Sequence, residues 1–242
     1  CTVVWLAALL WCTPPAVAQQ SAPSPEDRFA DAVALYNQHL YAAAQTAFST
    51  FRTRHPSHAS VAQALFLEAS SALALNQRAH AVRLFQTLQH DHPNHPRARA
   101  AQLSLGQYFI DQGNVAEGRQ QLQSVVNEAP TSEQAARALY LLGQAAQDQG
   151  DDETGLNYYQ RVMDDHVQSD VAPAAYYAAA STLVRLDRYD AAATAFETLA
   201  RRFPETPYAE KVGTGLAEVY YELERYDRVV EALNGRLPTL DR

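Results

Sequence analysis

The side chains in this sequence most able to hold a metal are its histidines. His55, His58, His90, His92 and His95 fall in one stretch, and closely spaced imidazoles are the pattern that takes zinc or copper. Their spacing has a plainer origin. His55, His92 and His166 share one register of a 37-residue period, the register that also holds Phe203, and His58 and His95 recur at the same interval. The rings therefore repeat along one edge of a periodic structure, with no acidic or cysteine ligand repeating beside them, and they read as an aromatic slot at a joint. Asp151-Asp152-Glu153 and Asp164-Asp165 could supply a general acid and base, but they are expected at helix starts and ends, where N-capping and solvation account for them. Gly213-Thr214-Gly215 lacks a preceding strand and has Glu218 where a phosphate loop needs its third glycine. Cys1 and Cys12 are the only cysteines, so the remainder of the chain has no thiol for a disulfide or a nucleophile. No catalytic residue, cofactor site or metal site is assigned.

The elements that would position these groups follow from composition and period. Nine glycines, twelve prolines and Ala-rich stretches within 242 residues favour helices with punctuated ends. The net charge of −8 repels a polyanion and excludes nucleic acid as the expected partner. The charge is uneven, because basic and acidic residues balance up to Pro96 and the whole excess of acid lies beyond it.

Val3–Cys12 is a short apolar run, followed by Pro14-Pro15 and then by Ala16-Val17-Ala18, small residues at the spacing signal peptidase accepts. Residues 1–18 are expected to be a secretory signal, truncated at its N-terminus since neither a starting Met nor a basic leader is present. The run is shorter than the roughly 20 residues that cross a bilayer, and Trp11 before Cys12 argues against a lipoprotein signal. Residues 19–25 read as a flexible linker, and the expected location is the periplasm or another exported compartment.

Small residues stand every 37 positions at Ala32, Ala69, Gly106, Gly143, Ala180 and Ala217. Twelve residues behind each is a second set, Ala44, Ala81, Gly118, Gly155, Ala192 and Val229, and four further on a large apolar set, Phe48, Phe85, Leu122, Tyr159, Phe196 and Leu233. Small residues on two successive helices let their backbones approach, and a large one a turn later fills the space beside the crossing. Each unit is thus a helical hairpin, closed by Pro56, Pro93, Pro130 or Pro204. Single hairpins cannot bury both faces, so residues 26–242 are expected to stack as six units with a continuous core. The last unit weakens, with Val229 in a small slot, Arg236 in a Leu register and Asp241 where Pro is expected, and its end face is expected to be open.

These offsets, with Tyr189-Asp190 and Tyr226-Asp227 opening second helices, resemble the tetratricopeptide repeat family, over about Glu26 to Arg236. The unit is three residues longer than that family's usual one. The extra length lies at joints such as Phe203-Pro204-Glu205-Thr206-Pro207-Tyr208-Ala209, and this joint style is similar to an envelope subgroup of outer-membrane assembly lipoproteins and Tol-Pal-associated coordinator proteins. The resemblance implies an all-α, right-handed superhelical α-solenoid whose first helices line a concave face. It places Phe29, Phe66, Leu103, Tyr140, Tyr177 and Thr214 on one inward row. Tyr36, Leu73, Ile110, Gln147, Val184 and Tyr221 form a second row, with Val33, Ser70, Gln107, Gln144, Ser181 and Glu218 between.

Partner contacts are expected at Phe29, Tyr36, Phe66, Gln107, Tyr140, Gln144, Tyr177 and Tyr221, unless these residues merely pack against neighbouring second helices. No Lys or Asn stands on the rows, so the carboxylate clamp that grips a cytosolic chaperone tail is not expected. The function implied is a non-enzymatic envelope scaffold for protein or peptide partners, in outer-membrane or cell-wall assembly. The open last unit leaves room for self-association, and the alternative is the N-terminal arm of a longer exported protein whose active or anchoring domain lies beyond residue 242.

Overall fold

The computed structural model describes residues 22–234. The expected signal at residues 1–18, the start of the linker and the slots at Arg236 and Asp241 lie outside the described residues. Those described form twelve helices in six hairpins. In chain order these pair α1 (Pro25–Asn37) with α2 (Tyr41–Arg54), α3 (Val61–Ala74) with α4 (Arg78–Asp91), and α5 (Pro96–Asp111) with α6 (Val115–Glu128). They continue with α7 (Glu133–Gln147) and α8 (Asp152–Asp165), α9 (Ala172–Arg185) and α10 (Tyr189–Arg202), and α11 (Ala209–Glu222) and α12 (Tyr226–Leu233).

Each helix packs mainly on the next one in sequence, and first helices of neighbouring hairpins also touch, α1 on α3, α3 on α5, α5 on α7 and α9 on α11. Second helices make no comparable contact with one another. First helices therefore form the inner, concave wall of an α-solenoid, and second helices the outer one.

One turn recurs in all six hairpins. His39, Asn76, Gly113, Gly150, Asp187 and Glu224, 37 residues apart, all have φ between 56° and 79°. The N–H of the following residue returns to the carbonyl five residues back, as in Gln77 to Ala72 at 2.8 Å and Asp151 to Ala146 at 3.0 Å. This left-handed close satisfies the last carbonyls of each first helix. Glycine fills the position twice, and the side chain of Glu224 must bear the steric cost of that conformation.

The joints between hairpins recur as well. His58, His95, Ser132, Ser169 and Thr206 share a register, and each side chain accepts from a backbone N–H two or three residues on, His58 from Ser60 and His95 from Arg97, both at 3.1 Å. At His58 and His95 imidazole Nδ1 does the work that a hydroxyl does at the later joints, and the aromatic packing expected of the joint is also present, with His55 and His58 against Phe51 at 5.5 and 5.2 Å and Phe203 against Tyr176 at 5.9 Å.

The small and large slots pack as their pattern predicts. Phe48, Phe85, Leu122, Tyr159 and Phe196 are buried. A Cβ on Gly143 would lie 2.4 Å from the Tyr159 ring, and one on Gly106 2.6 Å from Leu122. The core runs through the stacked hairpins, its fully buried apolar residues grouping as one cluster from Ala32 to Leu105 and another from Leu122 to Ala232 that meet within the third hairpin, where Leu103 and Ile110 of α5 pack against the second. A polar residue marks the seam: Gln102 stands in the register of Leu65, Leu139 and Tyr176, and donates to Glu128 at 3.4 Å.

The two ends differ. Arg28 and Asp31 occupy registers of α1 that in α3 and α7 are buried against the hairpin before, so the outer face of α1 is polar. In the last hairpin Leu233 is 65% exposed in the slot where Phe196 is 2% exposed, and Val230 is 59% exposed.

Candidate functional site

The concave wall carries three adjoining cavities of about 400, 520 and 640 Å³ along α3 to α11. Gln107, Asp111 and Leu141 line both the first and the second, and Tyr177, Ser181 and Arg185 both the second and the third, so the three form one groove. Its middle cavity opens between α7 and α9, which have the least backbone contact of any two successive first helices. Side chains bridge that gap. The Tyr159 hydroxyl donates to Gln147 Oε1 at 2.8 Å, Gln147 Nε2 donates to Thr182 Oγ1, and Thr182 donates to the Ala178 carbonyl at 2.6 Å. Burial holds the Tyr159 phenol far above its ordinary pKa, with neighbouring Tyr140 adding to the effect, so it remains a neutral donor in the groove floor.

Of the residues expected to meet a partner, the structure brings Gln107, Tyr140, Gln144 and Tyr177 into this groove. Gln144 Nε2 donates to the Tyr140 hydroxyl at 3.3 Å, and burial raises the Tyr140 pKa, as does nearby Tyr208. The other four lie elsewhere. Phe29 rests on Phe48 and Phe51 at 6.0 and 5.3 Å and Phe66 on Phe85 at 5.8 Å, each against the second helix of its own hairpin. Tyr36 and Tyr221 stand edge-on to Tyr41 and Tyr226 at the hairpin turns. The inward row thus has two duties, because Tyr140 and Tyr177 also pack on their own second helices, at Tyr159 and Phe196.

Tyr208, Lys211 and Arg185 are among the groove residues that lie off the expected rows. Tyr208 stacks on Tyr177 at 5.0 Å with planes 18° apart, Lys211 Nζ lies 5.9 Å from the same ring, and Arg185 pairs with both Asp152 oxygens at 2.5 and 3.2 Å. A 31-residue offset would have found Tyr208, for it covers Tyr177 as Arg97 covers Phe66, 5.0 Å from that ring.

The acidic run seen in the sequence is structural. Asp151 caps α8 by accepting from Thr154 N at 3.0 Å, which lowers its pKa, while Asp152 pairs with Arg185 and Glu153 with Arg188. Among the described residues no three His, Cys, Asp or Glu side chains converge where they could hold a metal. Gly213-Thr214-Gly215 lies inside α11. What the groove offers is aromatic faces, amides and hydroxyls at fixed positions, with Asp148, Glu210, Glu218 and Lys211 making no ion pair among the described residues. Such a set holds an extended segment through apolar contact and hydrogen bonds.

A tetratricopeptide repeat family model matches residues 66–133 and 177–235, and a second tetratricopeptide repeat model matches residues 137–169. The chain belongs to the tetratricopeptide repeat family. Solved tetratricopeptide-type structures share its fold at low identity. Pseudomonas aeruginosa pilF has a TM-score of 0.68 and 12% identity over 86% of this chain and 88% of that one. The C-terminal part of a TPR repeat-containing protein from Cytophaga hutchinsonii has 0.65 and 18% over 90% and 85%. A tetratricopeptide repeat protein from Parabacteroides merdae has 0.64 and 12% over 87% and 77%. No curated protein matches the chain. Tetratricopeptide arrays are in general scaffolds that bind protein partners, and this array has a groove of the kind that use requires.

Proposed function

We propose that this tetratricopeptide array is a non-enzymatic scaffold of the bacterial cell envelope that holds an extended segment of a partner protein in its concave groove. The observation that carries the reading is the gathering of Tyr140, Tyr177 and Tyr208 around the opening between α7 and α9, with Gln107, Gln144 and Ser181 beside them. Aromatic anchors flanked by amides and hydroxyls suit a peptide backbone. The periplasmic setting is supported by the apolar run at Val3–Cys12 and the small residues up to Ala18, and a role in outer-membrane or cell-wall assembly by the resemblance of the joints.

The test is capture of partners from an envelope extract by the wild-type chain and by the Tyr140→Ala, Tyr177→Ala double variant, with helicity of both checked by circular dichroism. Loss of the captured set in a folded double variant is expected. Equal capture would remove the groove from the function. Fractionation of cells bearing the native gene with a C-terminal tag tests the compartment, and recovery in the cytosol would overturn that part.

A further inference from the structure

The chemistry of the groove selects one class of segment, an inference that rests on the groove being the partner site. Arg185 is neutralised by Asp152, and Arg78 stands 3.6 Å from Asp111. Asp148, Glu210 and Glu218 then face the groove without an ion pair among the described residues, against one such cation, Lys211, the only lysine of the chain. The surroundings have the same sign, since the excess of acid lies wholly beyond Pro96.

The aromatic faces agree with the carboxylates. Lys211 lies over Tyr177 at 5.9 Å and Arg97 over Phe66 at 5.0 Å, so the protein's own cations already use two rings of the inward row. At Tyr140 the register of Arg97 and Tyr208 holds Val171, which supplies no charge, and among the described residues no cation lies over that ring. We propose that the segment held in the groove is basic, with an arginine or lysine side chain seated against Tyr140 and its charge balanced by Asp148, Glu210 and Glu218. An acidic segment would meet a single free ammonium and three free carboxylates. Cation–π contact and Coulomb attraction thus favour the same ligand.

The experiment is fluorescence anisotropy of the full chain with a labelled peptide of repeating Arg-Leu-Gly, beside peptides in which Gln or Glu replaces Arg. The arginine peptide is expected to bind, the glutamate peptide not to. The Asp148→Asn, Glu210→Gln, Glu218→Gln variant, which removes no ion pair among the described residues, should weaken the arginine peptide by roughly tenfold and leave the glutamine peptide unchanged. No binding of the arginine peptide, equal binding of the glutamate peptide, or indifference to the triple variant overturns the proposal. The two readings fail separately. Glutamine and arginine peptides that bind equally and are both lost in the Tyr140→Ala, Tyr177→Ala variant would keep the groove and discard its charge preference. An arginine peptide weakened by the triple variant but untouched by the tyrosine variant would discard the groove.

Discussion

The N-terminal hairpins and the C-terminal ones share a backbone frame and hold it differently. Before the seam in the third hairpin the joints are closed by His58 and His95, the small pairs are Ala32–Ala44 and Ala69–Ala81, and charge is balanced. Beyond the seam the joints use Ser132, Ser169 and Thr206, and a Gly pair admits the Tyr159 ring. There Arg185, Arg188 and Arg225 each reach back to an acid of the hairpin before, Asp152, Glu153 and Asp190. The left-handed turn every 37 residues is indifferent to these choices. The repeat therefore fixes where helices lie, and the residues in its slots are free to set groove chemistry and the response to pH and salt.

The largest effects should come from the large slots on either side of the seam. Phe85→Ala and Tyr159→Ala should each cost about 3–5 kcal/mol, with hydrogen exchange accelerated mainly in the half that carries the change, because stacked repeats couple chiefly to their neighbours. Uniform acceleration along the chain in both variants would mean that the seam is no boundary. Leu233→Ala, in the same slot but 65% exposed, should cost little, and a loss as large as that of Tyr159→Ala would show that Leu233 is covered.

Next comes the glycine pair. Gly143→Ala puts a methyl where the buried Tyr159 ring already is and should cost about 1–3 kcal/mol by overpacking. An unchanged thermal midpoint would show that the ring can shift. Smaller still is the turn register. Gly150→Ala should destabilise by roughly 1 kcal/mol and Glu224→Gly should stabilise by about 0.5–1, since only glycine is free of strain at these φ values. Shifts of the same sign in the two would refute the common turn.

Much of the frame was legible. The small, small and large sets at fixed offsets predicted hairpins and their buried slots, because packing at a helix crossing constrains residue size. The turn register was less visible, because His39, Asn76, Asp187 and Glu224 bear no common chemistry and the Schellman closure is a backbone event. The seam was hidden for a similar reason, as Gln102 is one polar residue in a stripe whose burial shows only when hairpins stack. For the groove, the rows found Gln107, Tyr140, Gln144 and Tyr177 but could not separate Tyr140 and Tyr177 from Phe29 and Phe66, which share their register and spend their rings on the second helix. Tyr208 and Lys211 enter from the following hairpin, so no pattern within one helix points to them.

The last contrast, between histidine and serine joints, makes the smallest prediction. His95 Nδ1 accepts from Arg97 N, which requires the neutral ring. Burial, followed by the charges of His92 and Arg97, holds its pKa below the ordinary 6.5. As pH falls the unfolded chain takes this proton first, so the stability that the cap contributes is present above about 6.5 and is lost as pH drops through the lower folded value. His95→Ser keeps an acceptor of the kind used at Ser132 and Ser169 and removes the titration. The variant's thermal midpoint should therefore decline less steeply than the wild type's from about pH 7 to 5, while Ser132→Ala, at a joint with no such proton, should lower the midpoint alike across that range. Parallel declines in wild type and His95→Ser would show that the imidazole cap carries none of the acid sensitivity, and the two kinds of joint would then differ in sequence but not in behaviour.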